Sequence, residues 1–572
     1  MRSVFITPLI LSVALVAQNS LPVDVYSDAA ATAPGQGTVS SPFPTFVQAT
    51  DLIRQNFQGM NVTLHLRGTF QGEFLDLRGL GTASLIVQPW GSDTVTIDGG
   101  LPVGDSTAWP VLRSQLTSTP RRKAVHIDTD NVTLDGGSIG AFVIRGVAGV
   151  GVLIDGADNV TLQHLKMEYL AESAVKARVE VQSWGCYGDS MPWPLPMADG
   201  LTIHDCRINQ TNLGYYPGQG TTLLYQPECI SISSYQNCVV SNNHLSNVLM
   251  EGIDFKLDTS GTIRNNIVEF VRSIGIYGNE CGPAQIYENI VRYAGYYQVE
   301  SPSSAPTVAT SGAFLEQYWA YPGHPWTNNP GPSAANPAGI SVTAGDLCDT
   351  QNPGMTFEQG AVQDIAIYRN EIYWTRGVGI QVTSNWWGQC QTGEAKCGCG
   401  AYLPVACQNN VFGYVDNVWV FNNTLYRARH VGSGLARSGI SVFGLSTSTL
   451  VLNNILAGTQ TTFGAAIHPA FDIEPDVCHP AFVGAGYQLF YDNQGNDTDT
   501  GTCAEGGSGN VFGDPVFVAA PADPMTGAIG GDLSLSVGSP AIDTALPIPG
   551  SYVVPDIGAR EYGEPAWHAG NL

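Results

Sequence analysis

"NCVVSNNHLSNVLMEGIDFKLDTSGTIRNNIVEFVRSIGIYGNE", residues 237–280, says the same thing almost twice. A short aliphatic strand ends in a polar Asn turn, and another short strand follows. A further strand then opens on Gly-Ile. The unit recurs in "NVTLHLRG" (61–68), "NVTLDGG" (131–137), "NVTLQHLKMEYL" (159–170), "DIAIYRNEIYW" (364–374), "NVWVFNNTLYRA" (417–428) and "STLVLNNILAG" (449–458). Where uninterrupted it is about 22–25 residues long. Strands this short cannot bury both faces alone, so identical units must stack to share a core. The pattern predicts an all-β fold, a right-handed parallel β-helix, with each coil laid about 4.8 Å above the last. Asn at one place in every coil can ladder through its amide at a tight turn, where left-handed geometry is tolerated. Leucine-rich repeats are the competing solenoid, but their Leu spacing is missing and β-branched residues dominate.

The rest of the chain fits around that repeat. Residues 1–20, "MRSVFITPLILSVALVAQNS", carry Arg2 and an apolar run from Val4 to Ala17. The run is too short to span a bilayer and reads as a signal peptide. No later segment reads as a membrane span, so a secreted or periplasmic product is expected. Residues 21–60 read as a lead-in segment with a capping helix over 42–56, residues 61–545 as the β-helix, and 546–572 as a C-terminal tail. The lead-in and the stretch 539–563 resemble the ends of many secreted β-helix proteins. Insertions near 180–198, 211–227, 297–337 and 384–410 interrupt the coils and are rich in aromatics, Trp184 and Trp193 among them. Aromatic faces suit the C–H patches of sugar rings; the alternative is that they pack the loops onto the helix. A formal charge of -25 argues against nucleic acid and anionic membranes as partners. A monomer is expected. Twelve cysteines suggest disulfides, above all around Cys390, Cys397, Cys399 and Cys407. A structural zinc site is the other reading there, without the usual pair of C-x-x-C knuckles.

Stacking the strands by their apolar residues points Val175, Leu201, Ile203, Ile230, Ile232, Ile253, Phe255 and Ile276 inward. One outward column then reads Lys176, Thr202, Ser231, Asp254, Tyr277. Its neighbour reads Arg178, His204, Ser233, Lys256, Asn279. Just before each strand a third column reads Asp199, Glu228, Glu251. Carboxylates stacked on adjacent coils repel unless one is protonated or a cation lies between them. Hard oxygen ligands at this spacing suit calcium. Solvated acids pointing apart are the alternative. Lys256, beside such a metal and near Arg178, would have a lowered pKa and could act as a base. A surface lysine paired with Asp254 or Asp258 is the bland reading.

With these residues in place, the chain resembles the secreted β-helix polysaccharide lyases. In the chondroitinase B and alginate lyase group (family six), a calcium-binding Glu precedes the catalytic lysine by five residues. "EGIDFK" supplies Glu251 and Lys256 at that spacing. The group's acid is an arginine on the next coil; here that place falls to Tyr277, in "SIGIYGNE". Pectate lyases of family nine are also similar, although their paired-Asp calcium pattern is not reproduced. The resemblance implies β-elimination on a uronic-acid polysaccharide. Calcium would sit at Asp199, Glu228 and Glu251, with Lys256 as base and Tyr277 or His204 as acid. Arg178, Lys176, Asp254, Asn279, Trp184 and Trp193 would hold substrate. Two other functions fit the same residues. One is a glycoside hydrolase using Glu251 or Glu228 with Asp254. The other is a non-catalytic carbohydrate-binding or surface β-helix.

Overall fold

The computed structural model describes residues 22–32, 34–109, 122–179, 197–213, 228–301, 304–310, 337–344, 362–384, 415–430, 439–443, 449–461, 471–473, 483–493, 498–499, 509–526, 529–547 and 555–564. The signal peptide, Trp184, Trp193 and the cysteines of the 390–407 loop lie outside these residues.

One coil shows the plan. Gly261–Arg264, Ile267–Val271 and Ile274–Asn279 are its three strands. Each pairs in parallel, in register, with its equivalent one coil before and one coil after. Three long parallel sheets result, and the fold is a right-handed parallel β-helix. Among the described residues the third sheet has 12 strands, from Leu75–Leu77 to Thr498–Asp499. The first and second are joined at their start, because the long strand Asn61–Gln71 bends to serve both. Alternation sends every second side chain inward. Ile230, Ile253, Ile276 and Ile340 form one such column, all fully buried.

The Asn-Asn pairs divide two tasks between them. The first residue takes the left-handed turn, with φ near 54° at Asn265, Glu288 and Arg369 alike. The second builds the ladder. Asn289 Nδ2 donates to the Ile263 and Tyr287 carbonyls and to Asn370 Oδ1, at 2.9–3.0 Å, while its own Oδ1 accepts from Asn266 N and Nδ2. The chain Asn243–Asn266–Asn289–Asn370–Asn423–Asn454 is continuous and wholly buried. It satisfies turn carbonyls and amides that no strand reaches, which a buried bend requires. The recurring Gly-Ile has a steric cause. A methyl group on Gly275 would lie 2.6 Å from the Gly339 carbonyl and 2.4 Å from Val291 Cγ1.

Both ends are covered. The helix Phe46–Asn56 lays Phe46, Ala49 and Ile53 over the first coil, and Phe46 stacks on Phe70 at 3.9 Å. The lead-in segment does more than cap, since Val23–Asp28 already pairs in parallel with Asn61–Gln71. At the far end the last parallel pair is Leu489–Tyr491 with Val511–Phe512. Beyond it the chain turns back, and Phe517–Ala519 pairs antiparallel with Asp532–Leu535. That hairpin covers the second sheet where Trp374 Nε1 donates to the Pro521 carbonyl at 2.9 Å, and the C-terminal segment adds a buried ion pair of Arg560 with Glu371. Two insertion aromatics are packing residues: Tyr296 and Tyr297 are buried in a second hairpin, Tyr296–Ser301 with Ser304–Thr310.

The disulfide expectation needs correction where it can be judged. Cys206, Cys229, Cys238 and Cys281 are buried, unpaired thiols. Cys206 and Cys229 lie on one coil and Cys238 and Cys281 on the next two, and each is buried as a small core residue rather than cross-linked. Burial pushes the Cys206, Cys229 and Cys281 thiols up to about 12, which leaves them unreactive.

Ladder and turn positions should differ in cost. Asn289→Ala strands buried backbone groups on two coils and is expected to destabilise by about 3 kcal/mol or more. Asn265→Ala loses only a tolerance for left-handed φ, at about 1 kcal/mol. Denaturant midpoints of the two variants check the ranking.

Candidate active site

The outer face of the third sheet carries the site. Strand pairing stacks Lys176, Ser231, Asp254 and Tyr277 in one outward column and Arg178, Ser233, Lys256 and Asn279 in the next. Glu228 and Glu251 stack just before their strands. Three expected members fall elsewhere. Thr202 and His204, with Leu201 and Ile203, belong to the first sheet, where Thr202–His204 pairs with Thr161–Gln163 and Cys238–Ser241. His204 Nδ1 is bonded to Asp205 Oδ2 at 2.5 Å and its ring meets His164 edge-on. Asp199 is exposed, pairs beside Gln236 and accepts from Asn237 Nδ2 at 2.6 Å. The reason is common to them: all three sheets share the same apolar alternation, so apolar alignment alone admits a strand to the wrong sheet.

Asp254 takes the place expected of Asp199. Glu228, Glu251 and Asp254 each offer an oxygen within 4.8 Å of the others, and all three are almost fully buried. Lys256 lies over them with a side chain 20% exposed. Its Nζ makes a short ion pair with Glu228 Oε1 and lies 3.0 Å from Asp254 Oδ2. One ammonium cannot satisfy three carboxylates. Glu251 Oε2 and Asp254 Oδ1 have no hydrogen-bond partner, and Asp254 Oδ2 has only the charge contact with Lys256.

The electrostatics follow from burial. Burial, then Asp254 and Glu228, raise the Glu251 pKa well above the carboxylate range. Burial with Glu228 pushes Asp254 up to about 7, against the pull of Lys256. Burial alone would lower Lys256, but Asp254, Glu228 and Glu251 together outweigh it and raise the ammonium well above its ordinary value. Tyr277, raised by burial and by Glu251 and Asp254, is hydrogen-bonded to Thr343 and stays protonated. A cluster of this kind must carry extra protons or hold a cation. Orphaned hard oxygens on three converging carboxylates fit a divalent ion such as calcium.

Upstream on the same face, Asp155 joins an arginine and a histidine. It accepts from Arg178 Nε at 3.0 Å and is bonded to His126 Nε2 at 2.6 Å. Burial lowers the Lys176 pKa, with Glu228 and Glu172 opposing. Sequence reading missed Asp155 and His126. The usable signal was the same column arithmetic, one and two coils further back, where Asp155 aligns with Arg178 and His126 with Leu153.

Comparison with known proteins adds a fold. The family model described as "Right handed beta helix region" matches residues 123–311. Among solved structures, the chain is similar to pectate lyase Pel9A (12% identity, 95% of this chain and 97% of that one, TM-score 0.40). It is also similar to the PL6 family polysaccharide lyase Pedsa3628 from Pseudopedobacter saltans (11%, 82% and 93%, 0.37). A third likeness is to the GH136 lacto-N-biosidase from Eubacterium ramulus (11%, 82% and 68%, 0.37). No curated protein matches the sequence. At these identities the likeness is one of fold. Among the described residues no helix is long and apolar enough to cross a membrane.

The acid cluster makes a stability prediction. Asp254 has a folded pKa of about 7 against an ordinary 3.8. For a raised acid, the stabilising contribution is full below about pH 4 and is lost as pH rises through about 7. In chelator, thermal stability is therefore expected to fall across that window, and Asp254→Asn to flatten the fall. Calcium at about pH 8 should raise the Tm of the native protein, and far less that of Glu251→Gln. Calorimetry with and without calcium checks both.

Proposed function

We propose that this protein is a secreted polysaccharide lyase that cleaves a uronic-acid-containing polysaccharide by β-elimination. One observation carries the reading: Lys256 is the most exposed member of a cluster whose three carboxylates are buried. A substrate resting on this face meets the amine before it meets any acid. Without a cation Glu228 and Asp254 hold Nζ as an ammonium, the opposite of the lowered pKa expected from the sequence, so Lys256 could take the C5 proton of the uronate only once those acids are neutralised. Tyr277, one coil on and protonated, would give its proton to the leaving glycosidic oxygen. Arg178 and Lys176 supply positive charge for the polymer in a chain that is otherwise strongly acidic. Calcium held by Glu228, Glu251 and Asp254 would neutralise those carboxylates, relieve Lys256 of its ion pairs and stabilise negative charge on the uronate. A carboxyl that titrates near neutrality also suits a general acid, which is what favours a glycoside hydrolase as the second reading. The three acids lie closer than the separation of about 6.5–9.5 Å of an inverting pair and nearer that of about 5–5.5 Å of a retaining one, so the second reading is a retaining hydrolase, and what weighs against it is that Lys256 covers its carboxylates.

The test is a panel of uronate polymers followed by the ultraviolet absorbance of the new double bond, with and without chelator. Lys256→Met should abolish the absorbance. Without calcium it should also lower stability, because it leaves Glu228 and Asp254 buried without their cation, and calcium should restore most of that loss. Lys256→Arg should be as inactive, since a guanidinium keeps its proton at working pH. Reducing ends without absorbance, lost in Asp254→Asn and kept in Lys256→Arg, would replace the lyase by the hydrolase.

A further inference from the structure

The outer face of the first sheet changes character along the solenoid. Strand pairing stacks Thr133, Thr161 and Thr202 in one outward column and Asp135, Gln163 and His204 in the next, so the early coils present hydroxyls, amides and charge. Later coils present Gln285, Ala366 and Trp419 in the first column and Tyr287, Tyr368 and Phe421 in the second. None of these six side chains is an acid or a base, in a chain with a formal charge of -25.

The four rings are not equivalent. Tyr287 and Tyr368 stack at 4.8 Å with their planes 8° apart, and Tyr368 and Phe421 stack at 5.0 Å with their planes 1° apart. Those ring faces are turned to one another. Trp419 instead stands at 72° to Phe421 and is 37% exposed, so its face is not spent in the ladder. Its Nε1 donates to Asn417 Oδ1 at 2.8 Å, which orients the indole. One coil before it the column holds only the methyl group of Ala366, and one coil before that the exposed Gln285. Gln285 and Trp419 are thus two coils, about 10 Å, apart at the backbone, with a notch between them. Gln285 Oε1 accepts from the Tyr368 hydroxyl at 3.3 Å, which leaves its Nε2 to donate elsewhere.

An indole face, a carboxamide and a phenol around a notch floored by Ala366 have the chemistry of a pyranose site. The aromatic face takes the C–H side of the ring, and the polar tips take its hydroxyls. Size argues against a protein partner. Even with Leu450 and Leu452 of the next coil, four coils by two columns measure about 19 Å by 10 Å, roughly 200 Å². A stable protein interface needs about 800 Å² per partner. The lack of charge favours an uncharged sugar over a uronate.

We propose that the outer face of the first sheet holds a second, non-catalytic glycan-binding site, in which Trp419 stacks on an uncharged pyranose and Gln285 and Tyr368 hydrogen-bond its hydroxyls. The site lies on a different sheet from Lys256 and does not depend on the chemistry there.

Affinity electrophoresis and calorimetry of the full chain test this with three uncharged probes: hydroxyethylcellulose, a xylan and a galactan. At least one is expected to bind. Trp419→Ala should weaken that binding about tenfold or more while leaving the Tm unchanged, because the side chain is exposed. Trp419→Phe should keep most of it. Ala366→Leu, which fills the notch and leaves every ring in place, should weaken it comparably. Lys256→Met should bind as the native protein does. The inference is overturned if no uncharged probe binds, or if binding survives Trp419→Ala or Ala366→Leu. Loss of binding in Lys256→Met would place the glycan on the third sheet and overturn it too. So would a dimer in sedimentation that Trp419→Ala dissociates without any glycan binding, which would give the face to a second copy of the chain. Binding of an uncharged probe with no double-bond formation on any uronate polymer keeps the inference and removes the lyase; double-bond formation with no uncharged probe bound does the reverse.

Discussion

In-register parallel pairing is the constraint on which the molecule depends. It places the same position of successive coils about 4.8 Å apart and leaves no freedom to stagger them. For aliphatic residues this is favourable, and the column Ile230–Ile253–Ile276–Ile340 is one product. For amides it is also favourable, because each carboxamide finds a donor above and an acceptor below; the buried Asn ladder is the second product. For carboxylates it is costly. Glu228 and Glu251 stack by the same rule and gain Asp254 as a third neighbour. One geometry therefore yields the core, the turn spine and the strained acid cluster.

That rule also explains what the sequence disclosed. The repeat, the Asn turns and the third-sheet columns at Ser231–Asp254–Tyr277 and Ser233–Lys256–Asn279 were legible, because the coils 230–279 follow one another without insertion. Asp199 and His204 were misplaced at the point where a long insertion precedes the strand. There the chain re-enters at the first sheet, and apolar alternation is the same on all three. The ladder position was also only half visible. Two adjacent Asn residues look alike in sequence, yet one is chosen for its φ and the other for its amide. Glu288 and Arg369 can therefore replace the first, while the second stays Asn from 243 to 454. Cysteine count pointed to disulfides because it carries no information on depth, and depth is what decides the four buried thiols.

The cost of the acid cluster needs an offset elsewhere. Its coils are locked on both sides by pairing along every strand and by the ladder bonds of Asn243, Asn266 and Asn289. These act at the turn between the first and second sheets, away from the third sheet's outer face. A carboxylate cluster that would unfold an isolated hairpin is thus carried by a cooperative stack, since each coil can loosen only by disturbing its neighbours.

Charge balance on the third sheet then separates binding from chemistry. Lys256 is committed to the acids beneath it and adds little net attraction for a polyanion. Arg178 is committed to Asp155 through Nε, but a guanidinium offers donors on three nitrogens, so that commitment orients it without exhausting it. An ammonium shared between Glu228 and Asp254 has far less left to offer. The residue type at each coil therefore matters more than its charge: the lysine's single nitrogen is taken up by buried acids, while the arginine two coils away keeps two nitrogens beyond the one that Asp155 holds.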